Sequence, residues 1–418
     1  MWLPSRAAAW PVGYPRAARS RESSMARQDD VRVERGCRLH ERAMRLHARG
    51  RLRESEIACR EALALIESAL GRRSADAANV MDALARIRVD RGDLDEALRL
   101  YRRAGAILRG ARGGGDAARV RIQVLTGLAN VHRARGEYRL AGPIFRRALA
   151  IAERHFGAAA PEAGVVLNDL AVLYKYIGRF PEAGRLYRRS LRIATRHFGG
   201  ESSEVATIHH NLGGLEHAAG RYARGEPHAR RAVEIRVKAL GPAHLDVAAD
   251  SAALAGILDG LGRHAEAQPL YRRALSVFRR VHGPVHYEIA VNLNNLAASI
   301  HAEGSRAAAE RMYTQALAMK QRILGRRHPD VAMTLNNLAL LYREAGQLRR
   351  ARSALERAAA IFEGSLGPRH PKVLVVRDNL ASLADEPRRP ARRRSTSSSN
   401  NSSSNHHHLR TNRPPAKG

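Results

Sequence analysis

The sequence predicts an all-α solenoid made of eight helix–turn–helix units followed by a closing helix. Six glycines recur at a fixed interval of 42 residues: Gly157, Gly199, Gly241, Gly283, Gly325 and Gly367. The same interval separates Gly71 from Gly113. A second series marks the middle of each unit: Gly50, Gly92, Gly136, Gly178, Gly220, Gly262, Gly304 and Gly346. A fixed period of this size indicates a repeat array, in which each unit buries its apolar face against its neighbours.

The last complete unit, residues 329–366, shows why each unit is expected to hold two helices. Pro329 and Asp330 suit a first helical turn, because that turn needs no proline N–H and favours negative charge. One apolar helical face follows, at Leu335, Leu338, Ala339 and Tyr342. Gly346 ends this helix in a left-handed turn. The second helix repeats the spacing at Leu348, Ala351, Leu355, Ala358, Ala359 and Ile361.

These units resemble the tetratricopeptide repeat, and their 42-residue length resembles the repeats of kinesin light chains and their bacterial relatives. The matching strings are Leu-Asn-Asn-Leu-Ala at 293–297 and 335–339, and Leu-Gly-x-x-His-Pro-x-Val at 324–331 and 366–373. The resemblance covers about residues 34–386. It implies a right-handed α-α superhelix whose groove binds peptides or protein surfaces. A motor-subunit role is not implied, because residues 1–33 lack the apolar heptads of a coiled coil.

The repeats divide the chain into three parts. Residues 1–33 are expected to form a disordered basic leader, with Met25 as a candidate start, and residues 387–418 a disordered Arg/Ser/Asn-rich tail. Between them lies the array at 34–386, closed by a capping helix at 372–385. Its units are expected at about 34–71, 76–112, 117–157, 162–199, 204–241, 246–283, 288–325 and 329–367. The fifth unit is expected to be the weakest, because Gly213, Gly214 and Gly225 fall within its helices.

Composition limits the class of protein further. The net charge is +32, carried mainly by arginine, which favours acidic partners or nucleic acid, although a GC-rich genome would produce a similar arginine excess. The two cysteines, Cys37 and Cys59, form no disulfide framework, so we expect a reducing, cytoplasmic location. No stretch is apolar enough to predict a membrane span.

The implied groove can be located on the first helix of each unit, opposite the core-facing side chains. One series there is Asp82, Thr126, Asn168, His210, Ala252, Asn294 and Asn336. The other is Val89, Arg133, Lys175, His217, Asp259, His301 and Arg343, five of whose seven members are basic or histidine. We predict a peptide-binding groove formed by Arg133, Asn168, Lys175, His210, His217, Asn294, His301, Asn336 and Arg343. The alternative is that these are solvated faces and that each asparagine simply bonds the adjacent repeat.

No catalytic, metal or cofactor site is predicted. The sequence lacks a Gly-x-Ser-x-Gly elbow, a phosphate-binding loop and a His-Glu-x-x-His motif. His210 and His217 are two helical turns apart, too far to share one ion. Gly283 and Pro284 should break the helix that would align His282 with His286. His328 and His370 are expected to cap or pack at helix starts.

The sequence therefore predicts a non-enzymatic adaptor that binds a protein or peptide partner, acidic or extended, in its concave groove. The alternative is a polyanion binder that acts on nucleic acid through its basic field and arginine-rich tail. The two differ in salt dependence, because phosphate binding releases counterions and weakens steeply as salt rises.

Overall fold

The computed structural model describes residues 24–110 and 114–383, and these form seventeen α-helices without strands. The first helices of the eight units are α1 (Ser24–Ala48), α3 (Ala75–Asp90), α5 (Gly115–Ala134), α7 (Pro161–Tyr176), α9 (Ser203–Ala218), α11 (Leu245–Gly260), α13 (Tyr287–Ala302) and α15 (Pro329–Glu344). The second helices are α2 (Leu52–Leu70), α4 (Leu94–Gly110), α6 (Tyr138–Phe156), α8 (Phe180–Phe198), α10 (Tyr222–Leu240), α12 (His264–His282), α14 (Arg306–Leu324) and α16 (Leu348–Leu366). The last helix is α17 (Pro371–Ser382).

The array begins earlier than the sequence suggested. Residues 24–33, expected in the leader, are the first turns of α1. Val33 and Cys37 pack against the core of the first two units, and an Asp29–Arg32 ion pair of 3.1 Å supports the exposed side of the helix. The capping helix α17 ends at Ser382, three residues before its expected end. The tail at 387–418 and the leader before residue 24 lie outside the described residues.

The helix boundaries follow the glycine series and a set of N-caps. Every described glycine of the two series has a positive φ, between 70° and 93°, a conformation that glycine adopts without a Cβ penalty. At four helix starts a histidine Nδ1 accepts a hydrogen bond from the backbone N–H two residues on. These caps are His244, His286, His328 and His370. The expectation that His328 and His370 cap helices is confirmed.

Small and aromatic side chains share the core. Ala339, Ala351 and Ala358 are at most 1% exposed, which allows close helix crossings. One position of the second helix holds a buried aromatic ring in five units: Tyr101, Phe145, Tyr187, Tyr271 and Tyr313. In the fifth unit this position is Ala229. The core of that unit therefore has less apolar surface to bury there than its neighbours.

The glycines of the fifth unit also have a packing role that the sequence did not indicate. Helix α9 runs unbroken through Gly213 and Gly214, both of which are buried. A Cβ on Gly225 would lie 3.2 Å from the carbonyl oxygen of Gly213 and 3.0 Å from Cδ1 of Ile257. These glycines permit a close crossing of α9 and α10. The expected weakness of the fifth unit, which would appear as faster amide exchange over 204–235 than in the neighbouring units, stays a prediction.

After between four and five units the superhelix completes a turn, and its later units contact its earlier ones. His328 Nε2 donates to the carbonyl of Ala134 at 2.7 Å, and His370 Nε2 donates to the carbonyl of Tyr176 at 3.0 Å. Each bond joins residues 194 apart in the chain. We call this contact the seam. Its two sides are Ala134, Gly136, Tyr176 and Gly178, facing His328, Pro329, His370 and Pro371.

First helices of successive units also pack side by side, as α3 does on α5 and α9 on α11, and so form an inner layer. Among the described residues, every helix is too short or too polar to cross a membrane.

Candidate functional site

The predicted groove residues lie on this inner layer with different degrees of burial. Four are buried: Asn168, Lys175, His210 and Asn294. Five are half-buried: Arg133, His217, His301, Asn336 and Arg343. Their partners separate them into three groups, which are asparagines that join units, histidines and Arg343 with partners inside the protein, and cations near the seam.

The asparagines form a ladder between units. Asn211 donates to Asn168 Oδ1 at 2.9 Å, Asn337 to Asn294 Oδ1 at 3.4 Å, and Asn379 to Asn336 Oδ1 at 3.0 Å. Asn168 also donates to Asp169 at 3.2 Å. The second asparagine of one repeat thus bonds the first asparagine of the preceding repeat, as the alternative interpretation of the Leu-Asn-Asn-Leu-Ala string expected.

His210 belongs to a buried ionic network in the fifth and sixth units. Its Nδ1 lies 2.6 Å from Asp250 Oδ1, and Asp250 Oδ2 lies 2.7 Å from Arg236 Nε. Arg236 also donates to Thr207 at 2.7 Å and contacts Asp246 at 3.1 Å. With His210, Arg236 and Asp250 at most 2% exposed, this network joins α9, α10 and α11.

The other histidines and Arg343 also have partners inside the protein. Burial lowers the pKa of His217 to about 3, so this ring is neutral at physiological pH, and its edge meets the face of Tyr222. His301 Nε2 lies 3.0 Å from Glu344 Oε2, and Arg343 donates to Ser382 on α17 at 3.0 Å. These groups support the array and leave less charge for a ligand.

Lys175 differs from the rest. It is 6% exposed, and its Nζ has no hydrogen-bond partner among the described residues. The nearest aromatic face is that of Tyr176, whose centroid is 5.3 Å from Nζ. Burial, Arg133 and Lys372 lower the pKa of Lys175 to about 7. An ammonium removed from water without an acceptor is costly, which is why its charged form is disfavoured.

Two further cations accompany Lys175. Arg133 donates to Asn130 at 3.1 Å, and its guanidinium lies 5.7 Å from the ring centroid of Tyr176. Lys372 reaches the same region from α17, across the seam, and burial lowers its own pKa. Sequence reasoning missed Lys372 because the return of the superhelix, and not any helical spacing, brings it close. The sequence did hold one signal. Lys372 occupies the repeat position that Asp330 holds one unit earlier, so a basic residue stands there in place of an acidic one.

The carboxylates near these cations accept hydrogen bonds from other side chains. Asp169 accepts from Asn130 at 2.9 Å and from Asn168. Asp330 accepts from the Tyr287 hydroxyl. Burial alone would raise the pKa of Asp330, but His328, Lys320, Tyr287 and Lys372 hold it below its usual value. Neither carboxylate accepts a hydrogen bond from Lys175, whose Nζ stays without an acceptor among the described residues.

A separate cluster of histidine and glutamate lies between α12 and α13. His282 Nε2 is 2.8 Å from Glu288 Oε2, and the His282 and His286 rings stack with centroids 3.7 Å apart. As predicted, the helix breaks at Gly283 and Pro284, since α12 ends at His282, but the loop then folds back and stacks the two rings. The ligand atoms of His282, His286 and Glu288 lie within 4.8 Å of one another, a spacing at which such a group could hold a metal ion. His286 Nδ1 already accepts from the Glu288 N–H, and we assign the cluster to helix capping.

Known proteins place the array in a family. The tetratricopeptide repeat model matches residues 36–109, 120–196, 204–280, 249–322, 288–364 and 330–392. No curated protein matches the sequence.

Solved structures with TM-scores above 0.5 share the fold. The Rap protein complexed with competence and sporulation factor is 13% identical over 85% of this chain and 99% of that chain, with a TM-score of 0.56. The Rap conjugation gene regulator of plasmid pLS20, in complex with the Phr* peptide, is 15% identical over 81% and 99% of the two chains, with a TM-score of 0.55. BtubC (BKLC) from P. vanneervenii is 22% identical over 63% and 95%, with a TM-score of 0.41. Because the family model covers most of the chain, the protein belongs to the tetratricopeptide repeat family, whose members are generally scaffolds for protein interactions.

Proposed function

We propose that this protein is a non-enzymatic adaptor that binds an acidic, extended segment of a protein partner on the inner layer of its superhelix. The observation that carries the proposal is the buried ammonium of Lys175, which lies near Arg133 and Lys372 and has no hydrogen-bond acceptor among the described residues. Carboxylate groups of a partner would supply the missing acceptors.

The fold is consistent with this use. Two solved structures with TM-scores of 0.56 and 0.55 are complexes of Rap proteins with competence and sporulation factor and with the Phr* peptide. In both, a protein of the same fold is in complex with a factor or a peptide. The sequence also lacks a nucleophile elbow, a phosphate-binding loop and a His-Glu-x-x-His motif, which favours binding over chemistry.

The test is an affinity capture from nuclease-treated lysate with the full chain as bait. A variant carrying Arg133→Gln and Lys175→Gln should lose a specific partner. The control carries Arg349→Gln and Arg352→Gln, which remove the same charge from two exposed positions of α16. Equal capture by all three baits would contradict a groove that depends on these cations.

A polyanion binder is the second candidate, favoured by the net charge of +32. In that case capture should disappear with nuclease, fall steeply as salt rises and require residues 387–418. A peptide partner bound by the groove should survive both nuclease treatment and removal of those residues. The full chain and a bait lacking residues 387–418, each with and without nuclease and at two salt concentrations, therefore separate the two functions.

A further inference from the structure

We propose that a small anionic group, a carboxylate or a phosphate, binds between Lys175, Arg133 and Lys372 and holds the two sides of the seam together. This subsite rests on the proposed function and deepens it, because Lys175 and Arg133 belong to the same inner layer. It adds a defined place for the anion and a consequence for the shape of the superhelix.

The first support is the buried ammonium of Lys175. Its side chain is more than nine-tenths buried, and no described residue accepts a hydrogen bond from Nζ. The hydroxyl of Tyr187, on α8, is a second buried donor without a hydrogen-bond partner among the described residues, and Arg133 is the first charged group to act on it. Buried donors are normally paired, so an acceptor placed beside Arg133 could satisfy both of these.

The second support is the convergence of three positive charges from three helices. Arg133 is on α5, Lys175 on α7 and Lys372 on α17. Both Arg133 and Lys372 act on Lys175 strongly enough to help depress its pKa. Arg133 and Lys175 also lie 5.7 Å and 5.3 Å from the ring centroid of the same Tyr176, and an anion between the cations would offset their repulsion.

The remaining titratable groups around this subsite supply no acceptor to Lys175. On α7 and α15 the carboxylates of Asp169 and Asp330 are bonded to Asn130, Asn168 and Tyr287, and neither accepts from Lys175 Nζ. On α9, His217 is neutral at physiological pH because burial lowers its pKa to about 3. The tyrosines that face this region are Tyr138, Tyr176, Tyr187 and Tyr287, and burial raises the pKa of each, so they stay neutral.

The third support is the position of the subsite at the seam. His370 Nε2 bonds the carbonyl of Tyr176, the residue after Lys175, and Lys372 follows His370 by two residues. Lys372 thus stands on one side of the seam, and Lys175 and Arg133 on the other. An anion between them would replace repulsion across the seam with two attractive contacts. It would also raise the pKa of Lys175, so that binding takes up a proton at alkaline pH.

The test is calorimetric titration of the full chain with inorganic phosphate at pH 8, at constant ionic strength and in two buffers of different ionisation enthalpy. We expect saturable binding with proton uptake. Lys175→Met, which replaces a buried ammonium with an apolar chain of similar length, should weaken binding at least about tenfold, as expected for losing a charge-assisted hydrogen bond. Lys372→Gln, at a half-buried position, should also weaken it.

The control is Arg349→Gln with Arg352→Gln, which should bind phosphate like the parent protein. Equal binding by the parent, Lys175→Met and Lys372→Gln would mean an adventitious ion only and would overturn the proposal. A parallel titration with acetate and with a poly-glutamate peptide identifies the source of the anion. Binding of peptide or acetate in place of phosphate, lost in Lys175→Met, supports a carboxylate. No binding of any of the three probes overturns the subsite.

Failure of the adaptor function is separable from these results. A protein that binds phosphate at Lys175 but captures no protein partner would retain the subsite and lose the proposed function. If the protein captures a partner through other inner-layer residues but binds none of the three anions, the proposed function stands and the subsite does not.

Discussion

Lys175 links stability to pH in a direction that can be measured. Its pKa is about 7 in the folded protein, against an ordinary lysine value of 10.5, so between these limits the unfolded chain binds a proton that the folded chain lacks. Stability must therefore rise as pH rises through this window, by up to about 1.4 kcal/mol per pH unit. The lowered pKa values of Lys320 and Lys372 act in the same direction.

We predict that Lys175→Met reduces this slope while raising stability near pH 7, where the amine is half protonated. Urea unfolding of the parent and the variant at pH 7, 8 and 9 measures both effects. The control is Lys238→Met, at a side chain that is 76% exposed. Parallel slopes for the parent and Lys175→Met would show that Lys175 titrates normally in the folded state.

Glycines inside helices offer a second prediction at the residue scale, because their surroundings decide whether a substitution by alanine raises or lowers the stability of the protein. A Cβ on Gly127 would lie 2.4 Å from the ring of Tyr101, whereas a Cβ on Gly364 would meet nothing within 4 Å. We expect Gly127→Ala to destabilise the protein by about 1–3 kcal/mol through overpacking. Gly364→Ala should stabilise it by up to about 1 kcal/mol through helix propensity. Thermal melts of both variants check the pair, and equal shifts would contradict it.

At the scale of elements, the buried network of Asp250, Arg236 and His210 joins three helices across two units. Removing one partner leaves an uncompensated buried charge, so we expect Asp250→Ala to cost about 3–5 kcal/mol. Arg236→Met combined with Asp250→Ala should cost less than the sum of the two single changes. A double-mutant cycle by urea unfolding measures this coupling. Simple additivity would show that the two side chains act independently.

The sequence predicted the individual helices and turns more completely than any other feature. The glycine series located the turns, and the 3.6-residue periodicity located the helix pairs, since both are local properties of the chain. The start of α1 at Ser24 was missed because residues 24–33 are mainly polar, and only the packing of Val33 and Cys37 ties them to the core. The role of Gly225 was missed because helix propensity contains no information about a neighbouring helix.

At the scale of the whole molecule, the repeat period predicted the architecture but not the seam. The bonds from His328 and His370 join residues 194 apart, and no local pattern encodes the pitch that brings them together. Helical spacing predicted Arg133 and Lys175 as groove residues but could not add Lys372, which reaches them only when the superhelix returns. The site at the seam therefore depends on the small rotations between successive units, which add up along the array.

The seam itself can be tested without disturbing the helices. In both His328 and His370 the Nδ1 atom caps a helix and the Nε2 atom crosses the seam. Asparagine is a good N-cap but is too short to reach across. We therefore expect the double variant His328→Asn, His370→Asn to keep its helix content by circular dichroism. Its free energy of unfolding should fall by about 1 kcal/mol per lost bond.

The same variant should also have a larger radius of gyration in small-angle X-ray scattering, because it loses both hydrogen bonds that join the two sides of the seam. His244→Asn provides the matched control, since His244 caps α11 in the same way at a position outside the seam. Phosphate at pH 8 should compact the double variant if an anion bridges Lys175 and Lys372, and should leave it unchanged once Lys175 is replaced by methionine. An unaltered radius in the double variant would mean that the pitch is fixed by the packing between neighbouring units alone, because that packing would then hold the turns together without the histidines.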